Sequence, residues 1–367
     1  IFVELLLQLL VGNVDQMMVS RVSQPSVAAI VNANQIMNLV IIVLSMASTA
    51  VTVILSQYLG AQDEKNASRT CMVSIVLIGG VSLAATILVF AGHTPLYRAI
   101  HVPEEVFDEA SLYLLIVGAF ILVQGLYLTF SAMIRAFAMV KEVMIISVIM
   151  NAMNIVGNAI LIFGFHMGVA GAALSTLISR IFCAIVVMYF LRSPKEEICV
   201  RDYIKIRPDR HKIKMILALG IPTGIENGMF QFGKLAIQST VSTLGTAAIA
   251  AQAMTNILEN LNGIAAIGIG IGLMNVVGEC IGAGRKDEAI YYTKKMCLVS
   301  EVVIIISCLL VFALTKPIIH LGGMSAESGR MCFFMVTWIT IIKPIVWVPA
   351  FIPAYSMRAP AAVHLGV

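Results

Sequence analysis

The chain has 367 residues, of which 59% are hydrophobic and only 12% are charged, and its mean hydropathy is +0.95. A soluble domain carries roughly 25% charged residues, so the composition excludes a soluble globular protein. A soluble helical bundle would also need polar helix faces, which these segments mostly lack. The composition therefore predicts an all-α polytopic membrane protein.

Ten apolar segments are predicted to cross a hydrocarbon core of about 30 Å. Because the first of them already includes Ile1, we expect the chain to be a fragment that lacks the start of this span. The predicted spans, numbered 1 to 10 in chain order, are 1–20, 27–58, 70–91, 108–136, 142–164, 168–191, 213–243, 246–280, 293–314 and 329–356.

The basic residues give the orientation of these spans. Seventeen of the Lys and Arg residues lie in one set of alternating loops, whereas four lie in the opposite set and three within spans. By the positive-inside rule, the richer set is cytoplasmic, and the N-terminus and the linker 193–212 belong to it. A basic linker between membrane spans predicts a cytoplasmic anchor, not a nucleic-acid site. The four outer residues are Arg21, Arg98, Lys316 and Arg330.

The sequence matches itself after a shift of 222 residues. "AAIVNANQIMNL" (28–39) aligns with "AAQAMTNILENL" (250–261), and Glu4 falls on Glu226. The repeat length implies six spans per half, and an even number gives parallel repeats, an arrangement typical of transporters. The predicted domains are therefore an N-lobe (1–192, spans 1–6), a cytoplasmic linker (193–212) and a truncated C-lobe (213–367, spans 7–10), with two more spans expected after Val367.

Several motifs in the same order resemble the MATE family (multidrug and toxic compound extrusion). They are "VD" late in span 1, "QYLGA" after span 2, "SAMIRA" closing span 4, "NIVGNAILIFG" in span 5, "GVAGAALSTLISR" in span 6 and "GIPTGIE" opening span 7. The resemblance is closer to the DinF-like than to the NorM-like branch. It implies a MATE fold, with two parallel-repeat six-helix lobes around a V-shaped cavity, of whose twelve helices about ten are present here.

The resemblance also implies an activity. A MATE protein exports cationic or amphipathic small molecules against an inward flow of H⁺ or Na⁺, so no cofactor is expected besides the coupling ion. We expect a monomer in the lipid bilayer of a bacterial inner (plasma) membrane, with small-molecule substrates and no nucleic-acid partner.

An aspartate, Asp15, lies inside the apolar run of span 1. An acid within a membrane span is by default a functional site, because an unpaired carboxylate in hydrocarbon is costly. Asp15 is therefore a candidate to bind the coupling proton or cation. The alternative is a helix-end charge that reaches the outer membrane interface.

Span 5 carries a stripe of asparagines. Asn151, Asn154 and Asn158 follow i, i+3, i+7 spacing and so share one helix face. They predict either hydrogen bonds between helices, worth about 0.6 kcal/mol on average, or neutral oxygen ligands beside Asp15.

The resemblance to the DinF-like branch implies a cation or proton site in the N-lobe. The matching positions are Asp15, Tyr113, Asn154, Asn158 and Thr176, and all of these except Tyr113 would hold a Na⁺ ion. The later position in span 5 is often acidic in that branch, but here it is Asn158. A single carboxylate then carries the charge, which weakens any mechanism that needs an acid pair.

The C-lobe carries charged residues within or near its spans. Glu226 follows Pro222 and could bind a cationic substrate or form an ion pair with Lys234. The NorM-like branch has an acid in its tenth helix, whereas "KPIVWVPAFIPAYSMR" (343–358) has none and begins with Lys343, so we expect no sodium site there. Three prolines in this stretch suggest a bent span 10. The candidate residues of the substrate cavity are Glu226, Gln35, Asn151, Lys234 and Met229.

Two other functions remain open. A lipid-linked saccharide flippase of the same superfamily fold would use cationic residues to hold a pyrophosphate. A non-transporting membrane scaffold belongs to a different class, and Asp15, the asparagine stripe and the repeat argue against it. No HExxH, P-loop or nucleophile-elbow motif occurs, so we expect no enzyme activity.

Overall fold

The computed structural model describes residues 24–99, 104–191, 209–321 and 324–363, and these form helices almost throughout. Predicted span 1, with Asp15, lies outside the described residues. The helices are α1 (Gln24–Gly60), α2 (Glu64–Ala99), α3 (Glu104–Gly118), α4 (Ile121–Ala136), α5 (Val140–Asn158), the π-helical segment Ala159–Gly164, α6 (Gly168–Leu191), α7 (Arg210–Ser242), α8 (Thr246–Gly282), α9 (Lys286–Leu321), α10 (Ala326–Ile342), the π-helical segment Lys343–Trp347 and α11 (Val348–Val363).

Seven described stretches of helix are long and apolar enough to cross a membrane, and they correspond to predicted spans 2, 3, 5, 6, 8, 9 and 10. The all-α membrane fold is thereby confirmed. Several helices are longer than the apolar segments within them: α2 covers Glu64–Ala99, whereas span 3 was predicted over 70–91. Hydropathy identifies only the apolar segment that lies in the hydrocarbon core, whereas the helical hydrogen bonds continue into the polar interface.

Predicted span 4 is not one straight helix. Its two halves, α3 and α4, meet at a bend of 49°, and together they could form an eighth span. The bend lies at Ala119 and Phe120, where the Phe120 N–H donates to the Val117 carbonyl, one residue closer than in an α-helix. Gly118 lets α2 approach at this point, since a Cβ there would lie 2.9 Å from Val89 Cγ1.

Span 7 forms a helix, α7, but this helix is not among the seven apolar ones. The reason is its composition, because charged and amide side chains interrupt the apolar residues. They include Glu226, Asn227, Gln231, Lys234 and Gln238.

The chain forms two compact units, and the boundary between them falls inside α7, between Gly224 and Ile225. The first turns of α7 therefore belong to the first unit. There Gly220 packs against α1, since a Cβ at this position would lie 3.4 Å from the Met46 carbonyl oxygen. The domain bounds expected from the sequence place the division earlier, at the linker 193–212, and they stay a prediction.

Each unit has its own apolar core. In the first unit, buried side chains of α1, α2, α3 and α6 form one cluster that includes Leu44, Ile78 and Leu114. In the second unit, a cluster of α8, α9 and α10 includes Leu258, Val311 and Val336. These cores fix the helix faces on which the polar side chains lie.

Two π-helical segments interrupt regular helices next to residues that the sequence singles out. One directly follows Asn158, and the other begins at Lys343 and includes Pro344. Proline has no N–H to donate to the preceding turn, which explains the second interruption. Single-turn π segments occur frequently at functional sites.

Candidate functional site

Three polar side chains of the predicted cation site meet between α5 and α6. Asn154 Nδ2 donates to Thr176 Oγ1 across 3.1 Å, and Asn158 Nδ2 donates to Asn154 Oδ1 across 3.4 Å. Asn154 is 4% exposed and Asn158 is fully buried. Buried amides need partners, and this chain of hydrogen bonds gives the three side chains a fixed arrangement.

The contact between the two helices at this cluster depends on Gly157. A Cβ added there would run into Ser175 Oγ. Ser175 Oγ itself donates to the Asn154 carbonyl across 2.8 Å. Small residues at a helix–helix interface allow the backbones to approach closely, and here that approach brings Thr176 within reach of Asn154.

The two remaining residues of the predicted site are placed differently. Tyr113, on α3, is buried and packs in the same apolar core as Ala172 and Ala173 of α6. Asp15 lies outside the described residues, so its position beside the asparagines stays a prediction.

Arg180 is a basic neighbour of this cluster. It lies four residues after Thr176, on the same face of α6, and both residues line one small pocket whose other walls are apolar. The sequence alone did not predict that Arg180 lies next to Thr176, a predicted ion ligand.

Glu226 is paired in the second unit, but not with Lys234. Arg358 Nη2 donates to Glu226 Oε2 across 3.1 Å, and the guanidinium carbon lies 4.7 Å from the Tyr355 ring centroid. Lys234 Nζ instead lies 4.9 Å from the Phe230 ring. Eight residues along a helix correspond to a rise of about 12 Å, which is too far for a direct pair within α7. The partner comes from another helix, and spacing along α7 could not show it.

Helix α11 and the π-helical segment before it carry three aromatic rings in a row. Trp347 stacks on Phe351 with a centroid distance of 4.2 Å, and Phe351 meets Tyr355 edge-on at 5.0 Å. At the start of the row, Lys343 Nζ lies 5.1 Å from the Trp347 ring and donates to the Glu259 carbonyl across 3.2 Å. An ammonium group at this point would repel a metal cation, and the expectation of no sodium site in the C-lobe stays a prediction.

The other candidates for the substrate cavity differ in exposure. Met229 is 71% exposed and Lys234 is exposed on α7, and their place in the substrate cavity stays a prediction. Asn151 is only 5% exposed, and among the described residues its Nδ2 has no hydrogen-bond partner. The Gln35 side chain lies outside the described residues.

A polar cluster at the predicted cytoplasmic end of the first unit was missed by sequence reasoning. Lys212, at the start of α7, is 5% exposed and donates from Nζ to the Tyr58 hydroxyl across 3.0 Å. Arg69 Nε lies 3.0 Å from Asp209 Oδ2. No motif marks these contacts, because they join residues more than 100 positions apart in the chain.

Electrostatics favour the charged forms of the two acids at this end. The Asn66 side chain and backbone N–H both donate to Asp63 and lower its pKa. Burial raises the pKa of Asp209, but the backbone N–H groups of His211 and Lys212 and the charge of Arg69 outweigh it, so the net pKa is lowered. Both carboxylates are therefore ionised at neutral pH.

Long apolar helices that enclose buried, hydrogen-bonded polar side chains define a polytopic membrane protein. The MatE family model matches residues 1–160 and 222–357, and the chain belongs to this family. It is an integral membrane protein.

The chain matches curated relatives over most of its length. The uncharacterized transporter YisQ of Bacillus subtilis (strain 168) is 28% identical over 350 residues, which cover 94% of this chain and 76% of the relative. A probable multidrug resistance protein NorM of Thermotoga maritima is 27% identical over 327 residues, which cover 87% of this chain and 69% of the relative. The assignment to the DinF-like branch stays a prediction.

Solved structures agree in fold. The outward-facing conformation of a multidrug resistance MATE family transporter of the MOP superfamily has a TM-score of 0.91 at 16% identity and covers 99% of this chain and 82% of its own. A MOP superfamily transporter from Pyrococcus furiosus has a TM-score of 0.89 at 16% identity with the same coverage. MatE proteins are transporters and not enzymes, and these relatives do not favour the flippase alternative.

Proposed function

We propose that this protein is a secondary antiporter that exports cationic or amphipathic small molecules in exchange for inward H⁺ or Na⁺. The observation that carries the proposal is the buried chain Asn158–Asn154–Thr176 in the first unit. Three hydrogen-bonding side chains from two helices supply fixed amide and hydroxyl oxygens inside a membrane span. Such a group is costly to place in hydrocarbon, so its presence indicates a role in helix packing or in transport.

The coupling site consists of these three side chains together with Asp15 and Tyr113. Asp15 provides the negative charge, either by binding a proton or by holding a Na⁺ ion to which Asn154, Asn158 and Thr176 present neutral oxygens. Because Asn158 carries no charge, one carboxylate sets the charge balance. One coupling charge per transport cycle is therefore expected at this site.

Coupling follows from mutual exclusion. An ion at Asp15 favours a state that binds substrate poorly, and a cationic substrate favours the state that lacks the ion. The coupling strength equals the differential affinity of each ligand for the two states. The names of relatives such as the Thermotoga NorM, a probable multidrug resistance protein, support an organic substrate of broad chemistry.

The full-length protein in proteoliposomes tests the proposal. Uptake of a fluorescent organic cation is measured under a pH gradient without Na⁺ and under a Na⁺ gradient at equal pH. We expect transport with at least one gradient and its loss in Asp15→Asn. Asn158→Ala removes a ligand but no charge, so we expect it to weaken the ion dependence without abolishing transport.

Asn38→Ala is the matched control, because Asn38 is an exposed asparagine on α1 outside the cluster. Its transport should equal that of the wild type. Unchanged ion-driven transport by Asp15→Asn would remove Asp15 from the mechanism, and no transport with either gradient would overturn the antiporter assignment.

A further inference from the structure

Two of the four basic residues predicted on the outer side converge on one pocket. Lys316 near the end of α9 and Arg330 near the start of α10 both line it, and His320 joins them. The other side holds seventeen Lys and Arg residues, so basic residues are scarce at the outer end. Two of the few basic residues on the outer side therefore line one pocket although they come from different helices, which indicates a role other than solubility.

The pocket is electropositive. Lys316, His320 and Arg330 are exposed, and no Asp or Glu is among the described residues that line it; the nearest acid in the chain, Glu327, lies beside Ala326 in the first turn of α10. Arg330 uses Nε to donate to the Ala326 carbonyl across 3.3 Å, which orients the guanidinium on the pocket wall. A guanidinium has four further N–H groups, and these suit the oxygens of a phosphate.

The start of α10 adds to this potential. Ser325 caps the helix, and its Oγ accepts from the Ser328 N–H across 3.2 Å. The first N–H groups of a helix and its dipole favour negative charge at the N-terminus. The helix end lines the same pocket through Ser325 and Ala326, so the dipole and the three basic side chains act on one volume.

The remaining walls are apolar. Ile319, Met324 and Phe333 line the pocket, whose volume is about 600 Å³. Gly329 allows the two helices to approach each other closely, since a Cβ there would lie 2.9 Å from Ile319 Cγ2. Lys316 Nζ lies 5.2 Å from the Phe333 ring, so charge and apolar surface adjoin directly. This combination fits an amphiphile with an anionic head and a hydrocarbon tail.

We propose that this pocket binds the phosphate headgroup of an anionic phospholipid in the outer leaflet. Lys316, Arg330 and His320 hold the phosphate at the start of α10, and one acyl chain lies against Ile319 and Phe333. A free phosphate shares the headgroup chemistry, but it would gain nothing from the apolar wall. The proposal is independent of the proposed function, because the site involves neither the coupling residues nor the substrate.

Purified protein in nanodiscs provides the test. Binding of a fluorescent phosphatidylglycerol is compared with that of the matching phosphatidylcholine. We expect the wild type to prefer phosphatidylglycerol, and Lys316→Gln and Arg330→Gln each to weaken that binding about fivefold. The double variant should lose the preference, while Lys316→Arg and Arg330→Lys should retain it. Both side chains are exposed, and circular dichroism checks that the variants fold.

Lys294→Gln is the matched control, since Lys294 is an exposed lysine at the opposite end of α9 and lies outside the pocket. Its lipid binding should equal that of the wild type. Equal binding of both lipids, or unchanged binding by the double variant, would overturn the proposal. Displacement of the lipid by millimolar inorganic phosphate would show a free-anion site and would also overturn it.

Discussion

The Lys212 ammonium donates to the Tyr58 hydroxyl across 3.0 Å and lies 4.2 Å from the centre of the same ring. This contact holds the first turn of α7 to the end of α1. Both side chains are buried, at 5% and 8% exposure, so neither can turn to water when the other is removed.

Tyr58→Phe should therefore destabilise the protein more than Lys212→Met. The first leaves a buried ammonium without its hydroxyl acceptor, and the expected loss is about 2 kcal/mol. The second removes the charge and leaves only the neutral Tyr58 hydroxyl without this partner, so the expected loss is smaller, about 1 kcal/mol. Thermal unfolding in detergent measures both. Equal stability of Tyr58→Phe and the wild type would show that the contact does not form.

Stability should fall in acid through Asp209. Its lowered pKa means that its contribution is fully present above the ordinary value of 3.8 and is lost as the pH falls through the folded-state pKa. Unfolding temperatures between about pH 7 and pH 3 should be flat at first and then fall below about pH 4. The unfolding temperature of Asp209→Asn should fall less steeply over the same acid range.

Asp108→Asn is the control for that titration, because Asp108 is an exposed aspartate on α3, away from this cluster. It should follow the wild-type curve. An Asp209→Asn curve that parallels the wild type down to about pH 3 would contradict the expected contribution of the Asp209 carboxylate to stability.

Gly157→Ala should disturb the candidate coupling site. Its methyl group would push against Ser175 Oγ, and the expected cost of such overpacking is about 1–3 kcal/mol. Gly164→Ala offers a matched comparison on the same predicted span, because nothing lies within 4 Å of a Cβ there. Unfolding measurements should show a loss of stability only for Gly157→Ala. Similar stability of the two variants would mean that α5 and α6 lie farther apart at the asparagines.

A double-mutant cycle on Glu226 and Arg358 should give a modest coupling of about 0.5–1 kcal/mol. The 3.1 Å contact is direct, but the Glu226 side chain is 56% exposed, and pairs that are exposed to this degree contribute little. Glu226→Gln, Arg358→Gln and the double variant are compared by thermal unfolding. Additive losses would show that the two charges act separately and would leave Glu226 available for a cationic substrate.

Much of the fold could be predicted because hydrocarbon imposes a simple rule on composition. Apolar segments of sufficient length correspond to seven described stretches of helix, and the asparagine spacing on α5 identified two residues that do share one buried chain of hydrogen bonds. The bend between α3 and α4 was missed, because it lies where Gly118 approaches Val89 of α2, and contacts between helices are not visible in the sequence. The partner of Glu226 was missed for the same reason.

The sequence by itself determined that this is a helical membrane protein with an internal repeat, because hydropathy and self-similarity are properties of the chain alone. It also singled out the polar residues inside the membrane, since each is costly there. Only the tertiary structure decided which polar and charged residues of the chain meet. Thr176 reaches Asn154, Arg358 reaches Glu226 and Lys316 shares a pocket with Arg330, because the packing of helices sets distances between residues far apart in the chain.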